Sequence, residues 1–226
     1  MNFKLKIKLN GHKLYPSDNI KYLWVYLDST LSGEAHCKVL STKLRRANGL
    51  LSKVRHYDPK RELKSLYHAL FASHLTCGLQ VWGQQEKNLV MITKIQNRAL
   101  RILNFQDLHA DSNPLFRNDN LLKLKDIVKV KNILFIHDYL NKSLPSCFQN
   151  DFYRLENIYT SIRTRKTALG CLYVPKRGST TYGLFCTAQK SINTWNSFTK
   201  LFNCNLAFLP KVKLKNKLKE HFLDQY

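Results

Sequence analysis

The sequence predicts a mainly α-helical fold: a small N-terminal antiparallel β-sheet, then a helical bundle, then a helical C-terminal extension. Three observations carry this expectation. Residues 3–9, FKLKIKL, alternate apolar and lysine side chains and run into Asn10-Gly11, the strongest short hairpin signal. From Ser32 to Leu103 the apolar residues recur instead at helical spacing. Within that span, Leu75–Leu103 reads as the end of one apolar helix, a Trp82-Gly83 break, and a second helix with two faces.

In the N-terminal strand Phe3, Leu5, Ile7 and Leu9 share a face, and His12–Tyr15 return as its partner. A third strand is expected over Ile20–Asp28, with Leu23, Val25 and Leu27 on one side and Tyr22, Trp24 and Tyr26 on the other. So small a sheet needs helices, or further protein, to lean on. The first helix spans Ser32–Tyr57. Leu40, Leu44, Ala47, Leu51 and Val54 form its apolar side, and Lys43, Arg45, Arg46, Lys53 and Arg55 occupy the rest. Asp58 as N-cap, Pro59 at the first position and Glu62 in the first turn start a second helix, which ends near Cys77-Gly78. On the third helix Ile92, Ile95, Ala99, Ile102 and Leu103 form a stripe, while Lys94, Arg98 and Arg101 project together from a neighbouring face. Three helices with short connections imply a small bundle.

The polar loop Asp107–Asn113 marks a boundary, giving units at 1–29, 30–106 and 107–226. Leu121–Leu140 is expected as a long helix closed by Pro145. Thr181-Tyr182-Gly183 opens another that runs through Trp195-Asn196, and KVKLKNKLKEHF is a basic amphipathic helix. Residues 146–190 mix aromatics, turn residues and the basic tract Arg163–Lys166, with weak periodicity.

The chain of 226 residues carries 37 Lys and Arg against 15 Asp and Glu, a net charge of +22. Such self-repulsion is relieved beside a polyanion, and the charge is spread along the chain, so nucleic acid is the expected partner. No run of about 18 apolar residues occurs, so no transmembrane segment is expected. The N-terminal residues lack the continuous apolar core of a signal peptide. Six dispersed cysteines form no C-x-x-C pair, and His36/Cys37 and His74/Cys77 lack metal-finger spacing. Reduced thiols in an intracellular protein, cytoplasmic or nuclear, are the expectation. Phosphate-binding, dinucleotide and nucleophile-elbow motifs are absent.

The order of motifs KYLWVYLD, LRRANGLLSKVRHY, LYHALFASHLTCGLQVWG, IQNRALRIL, TYG and TWN resembles the C-terminal part of a jockey-like non-LTR retrotransposon reverse transcriptase. The resemblance covers nearly the whole chain. It implies a primer-grip-like strand containing Lys21, Tyr22, Leu23 and Val25, with Trp24 standing where the family has glycine. It also implies a thumb-like bundle with Arg45, Arg46, Lys53 and Arg55 on its first helix and Lys94, Arg98 and Arg101 on the IQNRALRIL helix. Together with Tyr22 and Trp24, whose rings could stack on bases, these form the expected nucleic-acid-binding set. The partner implied is an RNA–DNA or RNA duplex held by its phosphate backbone, beside a separate or upstream polymerase palm.

Catalysis is not expected of this chain alone. The family's aromatic-x-Asp-Asp motif would lie upstream of Met1, and no two acidic residues here are adjacent. Two-metal phosphoryl transfer needs paired carboxylates, so no cofactor is expected in this chain, and two Mg ions belong only to a complete polymerase. The alternative is an independently folded basic RNA- or DNA-binding module derived from such an element. A peripheral membrane or protein-interaction role for the basic C-terminal helix is a weaker third option.

Overall fold

A computed structural model describes residues 7–57, 59–148, 151–158, 164–175 and 186–226. Phe3, Leu5, Asp58, Arg163 and Thr181-Tyr182-Gly183, each given a part above, lie outside the described residues. The chain is mainly helical after four short strands, β1 (Ile7–Leu9), β2 (His12–Leu14), β3 (Asn19–Tyr22) and β4 (Val25–Asp28). Asn10 and Gly11 both adopt positive φ (49° and 83°) in the expected β1–β2 turn.

The third strand is corrected. Ile20–Asp28 does not run straight but folds back at Leu23-Trp24, so that Tyr22 pairs with Val25 and Lys21 with Tyr26. Two separate two-stranded sheets replace the single three-stranded one. Leu23 takes φ 51° in a turn with no Gly, Asn or Asp, which is why its unbroken β-favouring alternation hid the reversal. The gain is in packing. β4 lies on the helical bundle with its side chains half-buried, Val25 fits against Gly78, and Tyr26 donates its N–H to Nδ1 of His36 at 3.4 Å. Gly78 has φ 58°, and a methyl there would overlap Val25.

The bundle begins with α1 (Glu34–Val54), whose Leu40, Leu44, Ala47 and Leu51 are buried as the spacing requires. The second helix is segmented into α2 (Lys60–Leu66), a π-helical turn (Tyr67–Ala72) and α3 (Ser73–Thr76). Tyr67 and Phe71 stack within the π turn, ring centroids 5.1 Å apart. After the short α4 (Leu79–Trp82), α5 (Glu86–Leu103) buries its whole predicted stripe of Ile92, Ile95, Ala99, Ile102 and Leu103. Trp82, at the break between them, is buried and donates its indole N–H to the Cys77 carbonyl at 2.9 Å.

The first apolar cluster continues past the polar loop. Leu115 and Phe116 of α6 (Asn113–Asn118) belong to it, as do Leu124 and Val128 at the start of α7 (Leu124–Leu140). Further along the same helix Val130, Ile133 and Ile136 join a second cluster. That cluster also holds Ile192, Trp195 and Phe198 of α10 (Thr187–Phe202) and Leu214, Leu218 and Phe222 of α11 (Lys211–Leu223). The short helices α8 (Leu155–Ile158) and α9 (Arg165–Ala168) lie between α7 and α10 in the chain. Helix α7 is thus the spine shared by both cores. Polar groups knit the seam: Gln84 and Asn132 exchange side-chain hydrogen bonds at 3.1 Å, and Thr187 donates to the Gln80 carbonyl at 2.7 Å. Among the described residues no helix is long and apolar enough to cross a membrane.

Candidate nucleic-acid interface

Helices α1 and α5 pack side by side and run in the same direction, as contacts along their length show. Asn88 donates to the Ser32 carbonyl at 2.8 Å, and Asn48 donates to the Ile95 carbonyl at 3.0 Å. Beyond them the Arg55 guanidinium lies 5.6 Å from the Phe105 ring centroid. Because the apolar stripes face inward, the polar positions flanking the contact line are left outside. There they enclose an open groove of about 490 Å³.

Arg45 and Lys53 reach this groove from α1, Lys94 and Arg98 from α5. All four are exposed, no carboxylate lines the groove, and none of the four forms an ion pair with another described residue. Four uncompensated cations on two rigid helices set up a local positive potential suited to a phosphate backbone. Gly49 lies between them with nothing within 4 Å of where a Cβ would sit, so the middle of the groove is unobstructed backbone. Asn48, Ser52, Met91 and Ile95 complete its lining.

The remaining expected residues fall elsewhere. Arg46 is exposed on α1 but does not line this groove. Arg55 is half-buried, lies over Phe105 and donates its Nε–H to His56 at 3.3 Å. Arg101 is half-buried too, and its Nε–H donates to the Ala110 carbonyl at 2.7 Å, which holds the loop after α5. These two close the ends of the helices.

Lys21, Tyr22 and Trp24 form a second patch at the β3–β4 turn. Tyr22 and Trp24 are each 66% exposed. The Lys21 and Lys43 ammonium groups stand 5.0 and 5.9 Å from the Trp24 ring centroid. Contacts of this kind at exposed sites are worth about 0.5–1 kcal/mol each, too little to hold the indole against a better stacking partner. Trp24 therefore sits at the apex of a turn, where a strand would have given it a fixed neighbour.

Asp28, the last residue of β4, is engaged locally. Its Oδ1 accepts from the Thr30 hydroxyl and the Ser32 N–H, both at 2.7 Å. Burial alone would raise its pKa. The Thr30 hydroxyl and the groups of Ser32 and Gly33 outweigh that and bring it down to about 2. It is a turn-forming carboxylate standing alone. Among the described residues no three His, Cys, Asp or Glu side chains gather.

The groove floor escaped the sequence reading. The available signal was Asn48-Gly49, two weak helix formers inside an otherwise strong helix. No known family model, characterised protein or solved structure matches this chain.

Proposed function

We propose that this chain is the C-terminal part of a non-LTR retrotransposon RNA-directed DNA polymerase, holding the template–primer duplex and lacking the carboxylates of catalysis. One observation carries the reading: Arg45, Lys53, Lys94 and Arg98 converge without carboxylates on the open groove between α1 and α5. The motif order in the sequence supports it independently. So do Ile7, Leu9, Leu14, Ile20 and Leu23, exposed on the two hairpins, which leave an apolar surface for a polymerase palm to cover. The duplex is an RNA–DNA or RNA helix bound by its phosphates, in the cytoplasm or nucleus.

The test is binding of a fluorescent RNA–DNA duplex across a salt series. The log–log salt slope is expected to become shallower by roughly 0.9 for each of Arg45, Lys53, Lys94 and Arg98 replaced by alanine that had met a phosphate. Sequence-scrambled duplexes are expected to bind alike. A slope that the quadruple alanine variant leaves unchanged overturns the assignment.

A second reading is an independently folded RNA- or DNA-binding module derived from such an element. It is favoured by the fact that neither apolar cluster contains a residue of β1–β4, so both cores are built without the hairpins' side chains. A supplied palm that raises duplex affinity selects the first reading; affinity indifferent to it selects the second.

A further inference from the structure

A second open cavity, of about 800 Å³, shares no lining residue with the groove between α1 and α5. It lies where the π-helical turn, α7 and α11 meet. Part of its lining is apolar: Leu121, Leu122, Ile127, Leu134 and Phe135 line it and are half-buried. Its rim is basic. Lys211, Lys215 and Lys219 recur every four residues along α11, a ridge about 12 Å long, and Lys64 of α2 and Lys131 of α7 also line the cavity.

The balance of charge is uneven along that rim. Lys211 is paired with Asp138 at 2.7 Å, and the other lining carboxylate, Asp119, is held by Lys60 at 3.0 Å. Lys64 donates to the backbone carbonyl of Asp119, a neutral group. Lys64, Lys215 and Lys219 thus have no carboxylate partner among the described residues. They also feel one another: burial, then the charges of Lys64 and Lys215, hold the Lys219 ammonium below the usual lysine range. Three mutually coupled cations lining an apolar trough call for a ligand with a multiply charged anionic head and an apolar tail. A carboxylate offers one charge, whereas a phosphate monoester offers nearly two and three acceptor oxygens. Tyr67, His68 and Ala72 of the π turn line the same cavity, and π turns inside helices occur frequently at functional sites.

We propose that this cavity binds a single-chain amphiphile with a phosphate head. The phosphate is held by Lys64, Lys215 and Lys219, and the alkyl chain lies along Leu121, Ile127, Leu134 and Phe135. The site is independent of the duplex-binding reading and stands whether or not that reading holds.

Calorimetric titration of the full chain with dodecyl phosphate, below its micelle-forming concentration, tests this. Saturable binding of one molecule per chain is expected. The Lys215→Glu/Lys219→Glu variant should weaken it by roughly tenfold or more, and Arg45→Glu, in the other groove, should leave it unchanged. Leu134→Trp fills the trough from α7 and leaves the lysines in place; it should abolish binding while the chain still unfolds in one cooperative transition, so the test survives if the double variant does not fold. Inorganic phosphate and dodecyl maltoside, each lacking one half of the ligand, should both bind far more weakly. Equal binding of either one overturns the proposal, as does dodecyl phosphate binding that survives Lys215→Glu/Lys219→Glu. Displacement of dodecyl phosphate by single-stranded oligouridine, with both losses following the same two lysines, would make the cavity a nucleic-acid track and overturn it as well.

Discussion

Tyr26 donates its N–H to Nδ1 of His36, so the imidazole must be neutral where β4 meets α1. Its Nε2 is buried without a partner, and the Trp82 ring lies against it with centroids 5.5 Å apart. Burial first, then the positive charge of Lys43, holds the His36 pKa below the ordinary 6.5. The sign follows. The unfolded chain takes up a proton near pH 6.5 while the folded chain resists it, so this contribution is complete above that pH and is lost as pH falls below it. A urea midpoint measured at about pH 7.5 and about pH 5.5 should therefore drop more in the native protein than in His36→Asn, which keeps an acceptor and cannot ionise. Equal drops would mean that His36 is solvated in the folded state.

Gln96 does for α5 and α7 what His36 does for sheet and helix. Its side chain is fully buried, donates to the Leu122 carbonyl at 3.0 Å and accepts from the Leu124 N–H at 2.9 Å. One amide thus satisfies the chain just where it enters the spine helix. Gln96→Met keeps the volume but strands both backbone groups, and should cost on the order of 3 kcal/mol in denaturant unfolding. A loss under about 0.5 kcal/mol would mean that water replaces the amide. Elements of this kind also mark how far the sequence could be read. The faces of α1 and α5 were legible because a 3.6-residue period is local, and Leu44, Ile92 and Ala99 lie where it puts them. The reversal at Leu23-Trp24 was not, since it rests on β4 gaining Val25–Gly78 and Tyr26–His36 contacts from distant residues. Of the expected binding residues, Arg45, Lys53, Lys94 and Arg98 share a groove because two helices distant in sequence pack together, through their apolar stripes and contacts such as Asn48 to Ile95. Arg55 and Arg101 showed the same periodicity yet are taken up by Phe105 and Ala110. Period assigns a face, but not what a long side chain finds beside it.

At the scale of the molecule, two apolar cores share one helix and one aromatic side chain. Tyr226 packs against both clusters, lies edge-on to Phe116 at 5.9 Å, and has the Lys123 ammonium 4.0 Å from its ring centroid. Its hydroxyl donates to Asp126 at 2.6 Å and accepts from the Lys123 N–H at 3.0 Å. Burial, then the bond to Asp126, push the phenol far above its usual range, so it remains a donor. Tyr226→Phe keeps the ring but removes that bridge, at about 1–3 kcal/mol. The melting temperature should fall by roughly 2–12 °C in a chain of this size. The melt should remain a single transition, because α7 runs unbroken through both cores. Separate transitions in the native protein would mean that the cores fold independently.

Gly49 sets two kinds of selection against each other. The position is helical and sterically open, so Gly49→Ala should stabilise α1 by close to 1 kcal/mol. The same methyl would stand in the one clear stretch of backbone between Arg45, Lys53, Lys94 and Arg98. In a pooled library of position-49 variants, survival after heating should enrich alanine, and retention on immobilised duplex should deplete it. Enrichment of alanine under both pressures would mean that no ligand comes close to that backbone. Opposed outcomes would make Gly49 a place where lineages give up heat resistance to keep a grip.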